Sequence, residues 1–279
     1  MSHDIVEYRD IEHLHRDNLP ANRPAVIRGT RDANPSLAIF RWSPSYFADV
    51  LGDREVPVLA TKTGFLSYER DVNAMPFRTF VERAFVTEKR AELRHYYKNP
   101  TTLLPAGHDD SERIAPLACY LSKAITRNLW ISGPGLTVGL HFDAAENLNF
   151  SLRGRKRFTL YPPGVRAYYP LPMFSQTAHI SGVFRDGPNP DLRRFPRFDP
   201  SRAIDIELSE GEILYLPAYW WHQVTSLGEE NVNLNFWWLP SKRKQLLHWN
   251  QALRGHVQLG LRWLKYRNIQ QAPSATRPG

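Results

Sequence analysis

The 279-residue sequence predicts a mainly β protein with added α elements, centred on a sandwich or barrel of the jelly-roll kind. Two observations carry that prediction. From about Thr126 the chain divides into eight short segments in which apolar and polar residues alternate between Gly and Pro. After Pro240 the apolar spacing lengthens to three or four residues, the period of a helix.

The elements follow in order. The first hundred residues read as mixed α/β, with strands expected at Ala25–Arg28 and Val56–Ala60 and helices at Ser43–Val50 and Phe77–Glu88. The eight β segments are TRNLWIS, TVGLHFD, NLNFSLRG, KRFTLYP, AIDIELS, GEILYLP, HQVTSL and NVNLNFWW. One connection, between Pro163 and Ala203, is unusually long, rich in proline and aromatic residues, and without clear periodicity. Such a loop serves either as a lid or binding loop or as a rigid cover over a sheet edge, and both readings stand. In the last segment Leu246, Trp249, Leu253, Val257, Leu261 and Leu264 form an apolar stripe opposed by a basic face. The stripe either packs on the β core or joins two copies of the chain. Gly255 and Gly260 weaken the case for one uninterrupted helix.

A chain of this length buries one substantial core. One domain is therefore expected over residues 1–240, with its barrel core at about 126–240, followed by a basic helical segment at 241–279. The 42% hydrophobic and 12% aromatic content suits a folded globular protein. No run of about 18 apolar residues is present, so no transmembrane helix is expected. The N-terminus is charged from its first residues and shows no secretory signal, which makes the cytoplasm the expected setting. Cys119 is the single cysteine. That excludes an internal disulfide and a cysteine-rich zinc site, so any metal must use His, Asp or Glu.

The net charge of +8 is placed unevenly. Lys242, Arg243, Lys244, Arg254, Arg262, Lys265, Arg267 and Arg277 fall in the last segment, which has no Asp or Glu. Residues 1–240 therefore balance to about zero, and the basicity belongs to the C-terminal segment alone.

The candidate chemistry begins in TVGLHFD. Alternate residues of a strand share a face, so His141 and Asp143 project together while Phe142 points away. A third ligand from a neighbouring strand is available as His222, in YLPAYWWHQVTSL. Two histidines and one carboxylate form the facial set used by non-heme iron(II) oxygenases. An HxD tripeptide alone is a weak signal, and Lys156 strengthens it. In RGRKRFTLYP, Lys156 shares a face with Phe158 and Leu160, where an ammonium is costly unless an anion meets it. It is either a lysine reaching out from the barrel rim or a clamp on a dicarboxylate held inside. Asn147 and Asn235 likewise sit in apolar strand segments, where a buried amide needs a partner. A carboxylate beside the metal and a purely structural pairing are both compatible with them.

At these residues the chain resembles the cupin-like branch of the Jumonji-C oxygenases, and is similar in particular to the asparaginyl hydroxylases of hypoxia-inducible factor. The resemblance spans about residues 90–240. It is carried by HFDAAENLNFSLRGRKRFTLYPP, NPDLRRFPRF, GEILYLPAYWWHQVTSL and NLNFWW, with NRPAVIRG resembling the family's N-terminal strand. It implies a double-stranded β-helix, iron(II) held by His141, Asp143 and His222, and 2-oxoglutarate as cosubstrate with dioxygen. Lys156 would pair with the distal carboxylate of 2-oxoglutarate. Asn147 and Asn235 match positions near cosubstrate and metal. Tyr96 matches a tyrosine that helps hold the distal carboxylate, with Tyr97 the match if the alignment slips. One position departs: the family's usual Thr three residues before the first metal histidine is Val138, and Thr137 should face the other way in a regular strand.

The implied reaction is hydroxylation of a C–H bond, with a protein or peptide side chain as the favoured substrate. A tRNA base approached through the basic C-terminal segment, or a small metabolite, stands as the alternative. A non-enzymatic cupin binding protein is disfavoured by the triad together with Lys156. A homodimer through the C-terminal helices is the assembly that the second reading of the apolar stripe would give.

Overall fold

The computed structural model describes residues 5–8, 21–33, 35–66, 71–87, 93–105, 108, 124–184 and 187–271. Glu88, Cys119 and Arg277 lie outside the described residues, as do the side chains of Arg262, Leu264, Lys265 and Arg267. No helix among the described residues is long and apolar enough to cross a membrane.

The eight alternating segments form eight strands. They are β7 (Thr126–Ser132), β8 (Thr137–Phe142), β9 (Glu146–Arg153), β10 (Lys156–Tyr161), β11 (Ile204–Leu208), β12 (Ile213–Leu216), β13 (Trp221–Ser226) and β14 (Asn231–Trp238). One sheet takes them in the order β12-β9-β14-β7 and the other in the order β11-β10-β13-β8, the strand division of a double-stranded β-helix. The N-terminal part extends the first sheet on both sides. β1 (Val6–Tyr8) and β2 (Ala25–Ile27) continue it beyond β12, while β3 (Glu55–Thr61), β5 (Asp71–Pro76) and β6 (Arg94–Pro100) continue it beyond β7. The two-residue β4 (Phe65–Leu66) runs parallel to β8 at the edge of the second sheet.

Alternation decides what each face of the first sheet does. Leu148, Phe150 and Leu152 of β9 and Val232, Leu234 and Phe236 of β14 point to one side, where they join the largest apolar core. That core is completed from outside the barrel by Trp42, by Phe47 of α2 (Pro44–Leu51), and by Phe77 and Phe80 of α3 (Phe77–Val81). A short helical turn, α1 (Thr30–Ala33), precedes them. Ser43 starts α2 by accepting the Tyr46 amide on its Oγ at 3.0 Å, and Pro44 suits the first turn because its missing N–H has no helical partner anyway. Fully burying a side chain such as Phe150 contributes about 2 kcal/mol, so this outer core supplies much of the driving force. The inner face is polar. Asn235 Nδ2 donates to Asn147 Oδ1 at 3.0 Å, and Asn233 Nδ2 donates to Asn149 Oδ1 at 3.1 Å. With the apolar burden carried outside, the space between the sheets is left for polar groups.

The long connection covers a sheet edge, the second of the two readings left open for it. Phe142 N donates to His179 O at 3.0 Å and Ser181 N donates to Leu140 O at 2.9 Å, so residues 179–181 lie along the edge of β8. Tyr168, Val183, Phe184 and Phe198 meanwhile cover Phe142 and Trp221 on the outer face of the second sheet.

The C-terminal segment forms α4 (Lys242–Leu247) and α5 (Trp249–Gln271), with α5 uninterrupted at both Gly255 and Gly260. Of the two readings of the apolar stripe, packing on the β core does not hold for its first residues. Leu246, Trp249 and Leu253 are exposed, at 75%, 63% and 44% of their surface. The residues that seat α5 are Gln251, Ala252 and Gly255 instead. Gln251 Nε2 donates to Tyr219 O at 2.8 Å, and its Oε1 accepts the Gly164 amide at 3.1 Å. Gly255 lies so close to Ala144 that an added Cβ would stand 2.3 Å from the Ala144 Cβ. Periodicity located a helical face correctly but not the face that the barrel would cover. Small and amide residues won because the close approach leaves no room for large apolar ones.

A buried ion pair ties α4 to the barrel. Glu146 Oε1 accepts from Lys244 Nζ, and Glu146 Oε2 accepts from the Tyr215 hydroxyl at 2.9 Å and the Ala218 amide at 3.0 Å. Replacing Glu146 with Ala would leave a largely buried ammonium and two donors unmatched. Urea denaturation should show a loss of about 3 kcal/mol, and a change under about 1 kcal/mol would mean that water replaces the carboxylate freely.

Candidate metal centre

Cross-strand register brings the triad together. β8 and β13 are antiparallel with His141 directly opposite His222, and Asp143 follows just beyond the end of β8. The imidazole centroids are 4.2 Å apart, and His222 Nε2 lies 3.7 Å from Asp143 Oδ2. One ligand atom from each of the three residues falls within 4.8 Å of the others.

Both rings are oriented from behind. His141 Nδ1 lies 2.8 Å from Gly139 O and His222 Nδ1 lies 3.0 Å from Trp220 O. A carbonyl only accepts, so each Nδ1 carries a proton and each Nε2 presents its lone pair inward, the tautomer that a metal ligand requires. Electrostatics agree. Burial, then the neighbouring His222, holds the His141 pKa well below the ordinary histidine value. Burial likewise lowers that of His222 against the opposing pull of Asp143. For Asp143 burial alone would raise the pKa, but His222, His141 and Lys98 together bring it below the ordinary carboxylate range. At neutral pH the site therefore holds two neutral imidazoles and one carboxylate, the forms that bind a cation.

The turn between β12 and β13 that delivers His222 is held under strain. Tyr219 has φ of 73°, a left-handed conformation uncommon for a side chain of that size. It is pinned by its amide donating to Asp143 O at 2.8 Å and by its carbonyl accepting from Gln251. One strained residue thus links the backbones of two triad members.

A bulge sets the other residues facing the site. Val138 pairs with Val224 and His141 with His222, so β8 spends two residues, Gly139 and Leu140, where β13 spends only Gln223. The phase of alternation slips there, and Val138 points inward like His141, three positions later. Gly139 accommodates the slip; an added Cβ would lie 3.0 Å from the Phe65 ring. Thr137 faces away and meets the Thr225 hydroxyl at 3.0 Å. Val138 therefore leaves a methyl group where a hydroxyl would otherwise face the cavity.

The triad stands at the junction of two cavities. The deeper, of about 30 Å³, is lined by Lys156, Tyr96, Asn147, Asn149, Asn235 and Phe158 among others. Lys156 is only 2% exposed, and burial, its sole cause of shift, lowers its pKa to about 7. No carboxylate among the described residues forms an ion pair with it. Its Nζ sits 5.9 Å above the Tyr96 ring. Tyr97, the other candidate tyrosine, faces the outer core against Phe77, so alternation along β6 puts Tyr96 on the cavity side. The pairing of Asn235 with Asn147 leaves Asn235 Oδ1 buried without a hydrogen-bond partner. Lys156 pairs with Ser226 and Leu160 with His222, which separates lysine and metal ligand by four residues, about 13 Å along the strand. A short chain-like molecule fits that interval better than a lone ion.

The outer cavity, of about 160 Å³, opens beyond the triad and takes in Lys98, Trp130, Trp237, His179, Ile180, Gln258 and Leu259. Sequence reasoning passed over several of these. Lys98 carried a signal, since it lies two positions from Tyr96 and so shares its face. His179 carried none, because it sits in the irregular long connection, where no period predicts direction. Its ring lies 6.2 Å from that of His141.

Comparison with known proteins adds an independent line. The sequence model of the cupin-like domain matches residues 12–244. The human bifunctional peptidase and (3S)-lysyl hydroxylase JMJD7 is 29% identical over 259 residues, covering 81% of this chain and 80% of its own. Human tRNA wybutosine-synthesizing protein 5 is 27% identical over 253 residues, covering 83% and 75%. Lysine-specific demethylase 8 of Danio rerio is 29% identical over 234 residues, covering 82% of this chain but 56% of its own length. These names speak of lysine and tRNA chemistry, so the likeness to asparaginyl hydroxylases rests on the motif residues alone.

Proposed function

The chain belongs to the cupin-like domain family, and on that premise we propose that it is an iron(II)- and 2-oxoglutarate-dependent oxygenase that hydroxylates a protein or peptide side chain. One observation carries the reading. A buried lysine without a carboxylate partner lies in a chamber that opens directly onto two inward-facing imidazoles and a carboxylate. A dianion bound there would satisfy the ammonium at one end and reach a metal at the other.

In this reading His141, Asp143 and His222 hold iron(II), and Lys156 pairs with the distal carboxylate of 2-oxoglutarate. Tyr96, Asn147 and Asn235 line the same chamber. When bound, iron(II) and 2-oxoglutarate supply the oxidation of a C–H bond by dioxygen. The chain's own residues orient those groups and keep water out. Trp130, Trp237 and the aliphatic side chains of the outer cavity present a largely apolar wall to an incoming substrate. The relatives named for lysyl hydroxylation and lysine demethylation support a protein substrate.

A second reading, oxidation of a tRNA base, is favoured by the relative named for wybutosine synthesis and by the basic C-terminal segment. Anaerobic addition of iron(II) and 2-oxoglutarate to the purified protein should develop a weak visible charge-transfer band. Protein that binds iron(II) yet never shows the band would end the oxygenase reading. Succinate release driven by tRNA but not by peptides would replace the first substrate class with the second.

A further inference from the structure

Gln251 stands on α5, outside both sheets, yet only 2% of it is exposed. Its amide is spent in two directions. Nε2 donates to Tyr219 O at 2.8 Å, and Oε1 accepts from Gly164 N at 3.1 Å. A carbonyl only accepts and a backbone N–H only donates, so the two partners fix the orientation of the side chain. Gly164 carries the contacts onward, its carbonyl accepting from Trp221 Nε1 at 2.6 Å. Trp221 lies directly opposite Phe142 in the β8–β13 ladder and meets its ring edge-on, with the centroids 4.9 Å apart. These two residues immediately precede His222 and Asp143. On the other side, Tyr219 N donates to Asp143 O at 2.8 Å. The contacts thus form a circuit from Asp143 through Tyr219, Gln251 and Gly164 to Trp221. It begins at one triad member and ends beside another, and Gln251 is the member that α5 contributes.

The circuit contains the strained residue of the site. Tyr219 keeps a φ of 73°, and a tyrosine released from its partners would return to negative φ. That rotation would turn its N–H away from Asp143 O and shift the turn that leads into His222. From this geometry we propose that Gln251 is a positioning residue of the metal centre. By holding the Tyr219 carbonyl it keeps the turn in its left-handed form, and so sets the spacing of Asp143 from His222. It touches no reacting atom and acts through Tyr219. The proposal rests on the oxygenase reading for the identity of the metal. Groups that orient metal ligands from behind contribute about ten- to a hundredfold to metal affinity, and the same range is expected of Gln251. Arg254, one turn further along α5, supplies the contrast. It ties the same helix to the long connection by donating to Leu171 O at 2.7 Å and Ala178 O at 3.2 Å, without entering the circuit.

The experiment uses the full chain as wild type, Gln251→Met, Gln251→Glu and Arg254→Met. Each is stripped of metal and titrated anaerobically with iron(II) at about pH 8, where an introduced carboxyl is ionised. 2-Oxoglutarate is then added and the visible spectrum recorded. Gln251→Met keeps the length of the side chain and removes both hydrogen bonds. Gln251→Glu keeps the acceptor for Gly164 N but sets a carboxylate against Tyr219 O. It therefore isolates the arm that holds the strained residue, and it carries the test where the methionine variant is too unstable. Melting curves establish that each protein is folded at the temperature of the titration. Both Gln251 variants should bind iron(II) at least about tenfold more weakly than the wild type. At saturating iron(II) their charge-transfer band should be displaced from the wild-type position. Arg254→Met should keep the wild-type affinity and band. A folded Gln251 variant with wild-type affinity and band would overturn the positioning role and leave the oxygenase reading untouched. An equal loss in Arg254→Met would also overturn it, since the docking of α5 as a whole would then govern the site. A wild type that binds iron(II) without the band would sink the oxygenase reading, and a tenfold loss of affinity confined to the Gln251 variants would uphold the positioning role even then.

Discussion

Replacing Asp143 with Ala is expected to lower iron(II) affinity at least a hundredfold and to abolish 2-oxoglutarate turnover, while the fold survives. Loss of outer partners to metal ligands already costs about ten- to a hundredfold, so loss of a ligand itself should cost more. Asp143 contributes the only carboxylate of the triad, and the two imidazoles that remain are neutral at pH 7. The variant should still fold, because the contact from this position that the turn depends on is made by its backbone: Asp143 O accepts from Tyr219 N at 2.8 Å. Metal titration, with a melting curve as control, reads the outcome. Iron(II) affinity equal to the wild type would move the metal centre elsewhere.

Replacing Lys156 with Met should have opposite effects on the empty and loaded protein. In the empty protein the ammonium is buried without a counter-ion, so removing it should raise the melting temperature at neutral and lower pH. In the loaded protein it is the partner of a carboxylate, and breaking such a buried pair costs about 3–5 kcal/mol, or roughly a hundredfold or more in 2-oxoglutarate affinity. The pH dependence follows from the same side chain. Its folded pKa of about 7 is below the ordinary value of 10.5, so between these the unfolded chain holds a proton that the folded chain has lost. Stability of the empty protein should therefore rise with pH across that window, and this slope should vanish in the variant. Binding a carboxylate favours the charged lysine. Cosubstrate affinity should accordingly be flat below about pH 7 and fall by up to about tenfold per pH unit above it. An affinity independent of both pH and the substitution would mean that Lys156 does not meet the cosubstrate.

The β core was legible because its signal is local. A strand turns successive side chains to opposite faces, so each of the eight segments announced itself within a few residues, and the observed strands match them closely. The same rule put His141 and Asp143 on one face and turned Lys156 inward. Register across the sheet placed His222 opposite His141, an outcome that no local pattern contains. The bulge at Gly139 broke alternation and put Val138 in the cavity, because the space beside the Phe65 ring admits a backbone without a side chain.

What the sequence by itself determined, then, is the mainly β architecture, the identity of the three side chains that converge and the inward direction of Lys156. The tertiary structure alone decided what stands around them. It set His179 in the wall from a segment with no period, and it set the Lys98 ammonium over two indoles from neighbouring strands. It also turned Leu246 and Trp249 outward and seated α5 through Gln251, Ala252 and Gly255. The reason is the same throughout. Periodicity fixes which residues of one element share a face, but which face is covered, and by what, depends on shape and close approach between elements far apart in the chain.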